Sequence, residues 1–288
     1  MPSIKQLNTK LVSLKNTRKI TKAMKMIAAT RLRKAQEAIE SSRPYAEELT
    51  RIMHRIAQSH TINHPLFEPY QEVKKVRIIL CTSDRGLCGA YNSNIIKKAL
   101  GLCMEKKQAG LEVSLSFLGK KGYDFFRKRN FHIDNYYADA FKEIDFYTAG
   151  LISSEQVKSF LDNQIQEVYL VYNSFKSAMS QNQTVYRLLP MSKDSAHHKQ
   201  ANVPYIYEPE PDIIIEKLVD RSVKLMVFST MLNSAAGEHG ARMTAMDAAS
   251  TNCSELIDKY TIMRNRARQA SITTELIEIT SGAEALKG

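Results

Sequence analysis

The string SDRGLCGAYN, residues 83–92, carries the most enzyme-like chemistry in this chain of 288 residues. It is a glycine-bearing turn after a strand-like run and before a helical one, where α/β proteins often hold phosphate. Gly86 and Gly89 form neither G-x-G-x-x-G nor G-x-x-x-x-G-K-[ST], so no lysine is placed for a β or γ phosphate. Cys88 offers a thiol, but no histidine lies close in sequence to activate it. A tight structural turn is the favoured reading. Glu275, Glu278 and Glu284 form a second set. The first two share a helix face, as a general acid and base might, yet they flank a helical seam rather than a pocket, which favours a solvated face. Arg264, Arg266 and Arg268, beside Gln269, are harder to explain internally. Three arginines spread around a helix within five residues cannot all pair locally, and they point to acidic or polar loops outside the chain.

Metal chemistry finds no support. Cys81, Cys88, Cys103 and Cys253 lack metal-type pairing, and His54, His60 and His64 complete no ligand set with them; His197 and His198 fall in a polar stretch. Four thiols in a chain of this length suit a reducing compartment. The net charge of +11 is concentrated at one end, because residues 1–36 hold ten Lys or Arg and no Asp or Glu. Such an arm could bind nucleic acid or anionic lipid, or it could pass an acidic opening in a protein partner. It is basic enough to suggest a presequence, but it has its own apolar spacing and reads as mature protein.

Stepping outward to the elements, residues 212–285 contain nothing that breaks a helix. Apolar or small residues recur three and four apart at Leu225, Phe228, Leu232, Ala235, Met246, Ala249, Cys253, Leu256, Tyr260, Met263, Ala267 and Ala270, a heptad seam. Charges along it exclude a membrane span. At 1.5 Å per residue such a helix reaches roughly 110 Å, so it needs a partner. Residues 3–56 supply one, with Ser3 as cap and Ile4, Leu7, Leu11 and Leu14 opening a second seam that shifts and resumes at Met24, Ala28, Leu32 and Ala35. Pro44 either bends that helix or divides it in two. The two arms bury their stripes most simply as an antiparallel pair.

Between the arms the period becomes extended. Strands are expected at 76–81, 111–118, 131–136, 167–175 and 183–190, alternating with helices near 95–107, 119–129 and 145–163. That alternation predicts a mostly parallel sheet with helices on its faces. The fold class is therefore α/β with a long coiled coil. The expected divisions are 1–58 (first helix), 70–190 (α/β domain), 191–211 (loop) and 212–288 (second helix).

With these strings together, NTRKITKAMKMIAATRLRKAQ, SDRGLCGAYN, YIYEPEP, GARMTAMDAA and RARQASITTELIEITSGA, the chain resembles the gamma subunits of F-type ATP synthases from end to end. The resemblance implies a central-stalk rotor shaft of a proton-translocating complex, an antiparallel coiled coil with a Rossmann-like α/β domain beside its base, with no catalytic residue, cofactor or metal of its own. It further implies that Arg268, Gln269, Thr273 and Glu275 face loops of the beta subunits, and that Met24, Lys25 and Arg242 lie where the beta C-terminal domains push. Tyr205, Tyr207 and Glu208 would lie near the c-subunit ring and the epsilon subunit. The remaining implied partners are the alpha subunits, with membrane association through the complex on the cytoplasmic side of a bacterial inner membrane. Nucleic-acid binding by the basic arm is the competing reading. Gly237 and Gly240 depart from the alanine or serine usual in the family; each costs a helix about 1 kcal/mol, so this part is expected to be softer or pressed close to its partner helix. No thiol switch is expected, as no cysteine lies between Cys103 and Cys253.

Overall fold

The computed structural model describes residues 3–59, 64–192, 208 and 210–285. Ser3 starts the first helix. Its hydroxyl accepts from the Gln6 amide at 3.2 Å, and the Gln6 side-chain oxygen accepts from the Ser3 amide at 3.0 Å. This reciprocal pair satisfies two donors that a helix start otherwise leaves open. Helix α1 then runs from Ile4 to Ser59 with Pro44 inside it. The proline withdraws one backbone donor without ending the helix, which settles the choice between one helix and two.

Five strands follow the expected order: β1 (Lys75–Cys81), β2 (Glu112–Leu118), β3 (His132–Tyr137), β4 (Glu167–Phe175) and β5 (Gln181–Leu189). Between them lie α2 (Tyr91–Gln108), α3 (Lys120–Phe126) and α4 (Phe146–Leu161), and α5 (Pro211–Ala285) closes the chain. The sheet order is β3-β2-β1-β4-β5, parallel except for the β4–β5 hairpin. Six consecutive residues of β1 and six of β2 are buried, as expected for strands covered on both faces. One face packs Val76, Ile78 and Leu80 against Ile95, Ala99 and Cys103 of α2. The other carries Ile79 and Cys81 in a core with Ile152 and Phe160 of α4. Arg77 shares that second face, buried, and donates to Asp134 at 2.8 Å and to Gln156 at 3.0 Å, so its charge is neutralised inside the sheet layer.

The chain forms two compact units, residues 29–242 and residues 1–28 with 243–288. In the larger unit the first half of α5 belongs to the sheet's core. Ile215, Val219, Val223, Val227 and Met231, every fourth residue, are all buried there. The three-four seam proposed from sequence passed over this stripe, because a helix lying on a sheet face follows the i, i+4 ridge rather than a heptad.

In the smaller unit α1 and α5 run antiparallel. Arg18 donates to Ser254 at 3.5 Å and Lys25 pairs with Asp247 at 2.6 Å, so seven steps up one helix are seven steps down the other. The α1 seam does not shift as expected. Thr21 is buried at 8 % exposure between Leu11 and Ala28, and with Leu14, Arg18 and Lys25 it keeps the three-four spacing unbroken. On α5 the buried position is Ile257, 7 % exposed, and not Leu256, 40 % exposed. Met246 and Cys253 are buried as expected.

Candidate functional site

Open α/β sheets take ligands in the crevice beyond the strand ends where the winding reverses, here between β1 and β4. In this chain α5 fills that crevice. Tyr91 donates its hydroxyl to the Ser234 carbonyl at 2.8 Å. Side chains built at Gly237 would lie 3.3 Å from Tyr91, and at Gly240 only 3.0 Å from the Ala178 backbone. The two glycines therefore mark a close approach of α5 to α2 and to the β4–β5 hairpin. Of the two expectations for this stretch, softness or close packing, the distances show close packing, with the sheet unit rather than α1 as the neighbour.

The 83–92 turn is held from the same helix. Arg242 donates to the carbonyls of Gly86 at 3.2 Å and Arg85 at 3.4 Å, and it pairs with Glu238 one turn earlier. Both side chains are nearly buried, at 11 % and 14 % exposure. Burial works to raise the Glu238 pKa, but His239, 2.9 Å away, and Arg242 outweigh it and hold the carboxyl below its usual range. Burial pushes the Cys88 thiol up, against smaller opposing effects of a Ser83 hydrogen bond and the Arg242 charge. A buried thiol held in its protonated form is a poor nucleophile. Cys81, at the end of β1, is likewise pushed up to about 12 by burial. The turn is thus a structural joint, with Leu87 and Gly89 in the left-handed region at φ 64° and 58°. Among the described residues no group of three His, Cys, Asp or Glu side chains could hold a metal.

The other site is the tip of α5. Extending the register of Arg18 with Ser254 and Lys25 with Asp247 sets Ile4, the first residue of α1, level with about position 268. Beyond that point α5 has no described partner helix. Ile272, Leu276, Ile277 and Ile279 there are 49 %, 57 %, 59 % and 68 % exposed. Burying side chains of this size elsewhere would be worth roughly 1.5–3 kcal/mol each. Arg268 and Gln269 are exposed at the level where α1 begins, and Thr273 and Glu275 are exposed beyond it. Glu275 accepts from Ser271 at 3.2 Å, and the Thr273 hydroxyl donates to the Gln269 carbonyl at 2.9 Å.

The remaining predicted residues are distributed over both units. Met24 is half-buried in the smaller one, and Lys25 is engaged with Asp247. Arg242 is directed inward, and Glu208 is exposed. Tyr205 and Tyr207 lie outside the described residues. Sequence reasoning missed Glu238 and the apolar tip. The spacing Ile272, Leu276, Ile279 continues a three-four pattern and could have revealed the tip, whereas no local signal marks Glu238 as buried.

Two helices that pair by thin seams, a crevice filled by the chain's own helix and an apolar tip that no described residue covers are the features of a subunit that sits within a larger assembly. A family model described as ATP synthase matches residues 3–286. An ATP synthase gamma chain from Geotalea uraniireducens is 45 % identical over the full length of both chains, and one from Geobacter sp. is 42 % identical, also over both full lengths. A chain in a mitochondrial ATP synthase structure from Euglena gracilis superposes with TM-score 0.68 at 19 % identity, covering 98 % of this chain and 94 % of that one. A chain in the central stalk and c-ring structure of the Tetrahymena thermophila mitochondrial ATP synthase gives 0.58 at 25 % identity, covering 80 % and 99 %. The chain belongs to the ATP synthase family. Within that complex its place is that of the gamma chain, the rotor subunit of the central stalk, which takes part in ATP synthesis without being the catalyst. The nucleic-acid alternative gains nothing from these comparisons. The complex is membrane-associated, and no described helix of this chain is long and apolar enough to cross a membrane.

Proposed function

We propose that this chain couples proton-driven rotation of a ring of c subunits to conformational change at the catalytic sites of the beta subunits. The observation that carries this reading is the tip of α5, a single helix whose apolar and polar faces are both exposed beyond the start of α1. A turning asymmetric helix alters the beta subunits by favouring one conformation of each in turn. Arg268, Gln269, Thr273 and Glu275 meet the loops of the surrounding beta subunits. Met24 and Lys25 lie where the beta C-terminal domains press on the coil. Arg242 acts from within, fixing the 83–92 turn to α5 so that the sheet unit turns with its helix. Tyr205, Tyr207 and Glu208 lie at the foot, toward the c ring and the epsilon subunit.

The ten basic residues of positions 1–36 then serve passage through an acidic opening formed by the beta subunits. Through the complex the chain is held peripherally on the cytoplasmic side of a bacterial inner membrane, a reading supported by relatives from Geotalea, Geobacter and Bdellovibrio strains. Affinity purification of the tagged chain at moderate salt tests the assignment. Alpha and beta subunits are expected to co-purify with it. Recovery of nucleic acid alone, lost steeply as salt rises, contradicts it.

A further inference from the structure

The sheet unit carries a groove that the rotor role leaves unused. It has a volume of about 930 Å³ and lies between one flank of α2, with Lys97, Lys98 and Gly101, and the strand residues Tyr169, Gln183 and Val185. Three observations there point outward. β5 ends the sheet, so its outer edge is paired with no described strand. That edge is nine residues long, QNQTVYRLL, with Arg187 its one charge and no proline. The pairing of β5 with β4 is irregular at one end, where Val168 faces Leu189 and Tyr169 faces Arg187, so the open stretch is residues 181–186; a stretch of edge unguarded by charge or proline is a template for a further strand.

Gly101 supplies the second observation. It sits inside α2 (Tyr91–Gln108), where glycine costs about 1 kcal/mol relative to alanine, yet a side chain built on it would meet nothing within 4 Å. Among the described residues no neighbour requires glycine there, and an outside backbone approaching the helix would. Charge is the third. Lys106 is engaged at the groove floor by Glu167 at 2.9 Å and the Tyr169 hydroxyl at 2.8 Å. That leaves the exposed Lys97 and Lys98 against the one carboxylate of Glu105.

We propose that an extended, acidic segment of a protein partner adds to the outer edge of β5 and lies along α2 at Gly101, its carboxylates meeting Lys97 and Lys98. A nucleotide fits these residues less well. The groove offers no cradle of backbone amides, the lysines stand in mid-helix, and the Tyr169 hydroxyl is already engaged.

The test uses the assembled ATP synthase. A photo-reactive amino acid at position 101 is expected to give one protein adduct, and alternate amides of β5 to exchange more slowly in the complex than in the purified chain. The double change Lys97→Glu, Lys98→Glu should lower adduct yield about tenfold, with Lys97→Gln, Lys98→Gln intermediate and the exchange of β1 unchanged as a control for folding. Three results overturn the proposal: no protein adduct, an adduct without added protection of β5, or ATP binding to the purified chain that Lys97→Glu abolishes.

Discussion

One helix, α5, is stabilised in two different ways along its length. Residues 211–242 lie on the α/β unit, where Val219, Val227, Met231 and Ala236 are fully buried and a nearly buried ion pair joins Glu238 to Arg242. From 243 onward the same helix has one narrow seam, with Met246, Cys253 and Ile257 at 5 %, 8 % and 7 % exposure, and past 271 it has none. The first half is therefore specified by the fold. The second retains helix beyond its intramolecular support, which places the reason for its sequence in the complex that surrounds it.

The comparison can be broken most severely in the first half. Arg242→Ala leaves the nearly buried Glu238 carboxylate without one of its two partners, His239 being the other, and unfolding of the α/β unit should be easier by about 3 kcal/mol. The effect depends on pH. Because the folded pKa of Glu238 is depressed, the wild-type contribution is present above the usual carboxylate range and is lost as pH falls through the folded value. In the variant the Arg242 contribution is gone and the folded pKa of Glu238 rises toward the usual carboxylate range, so that loss begins at higher pH; urea titrations across the acid range follow it.

Next in size is the seam. Ile257→Ala should cost about 2 kcal/mol, at the low end for buried aliphatic truncations, whereas Leu256→Ala should stay within about 0.5 kcal/mol. Amide exchange along residues 243–270 separates the two, and equal effects would restore the register expected from sequence. Gly240→Ala brings a side-chain carbon to 3.0 Å from the Ala178 backbone, and thermal unfolding should show a loss of about 1–2 kcal/mol. A gain would mean that the glycine is retained for flexibility. The smallest effect is at Lys25→Ala. Its pair with Asp247 is 41 % and 56 % exposed, so coil stability should fall by less than about 1 kcal/mol, and any larger loss of coupled synthesis would come from contacts outside the chain.

Much of this organisation is legible in the sequence. Both long helices, the Ser3 cap and the five strands follow from period, capping and run length, because those signals are local. The Ile215 to Met231 stripe was hidden by competition. Residues 225–235 are apolar on several faces, so a heptad template finds matches wherever it is laid. Thr21 and Ile257 escaped for a related reason. A polar seam residue and two adjacent apolar residues are each resolved only by the partner helix. Gly237 and Gly240 read as weak points since the Tyr91 and Ala178 neighbours that require them lie far away in sequence. The tip shows the opposite case: Arg268 and Gln269 stand out in the sequence because they find no evident local partner, and both are exposed.

The central claim is that the exposed second half of α5 transmits rotation to a surrounding catalytic head. It is tested most directly by attaching a bead to this chain in the assembled ATP synthase and recording its orientation during ATP hydrolysis, with and without Arg268→Ala, Gln269→Ala. Unidirectional stepping that keeps pace with hydrolysis, and loses torque or stops in the double variant, is the predicted result. Hydrolysis at full rate with the bead stationary, or stepping at undiminished torque in the double variant, would contradict it.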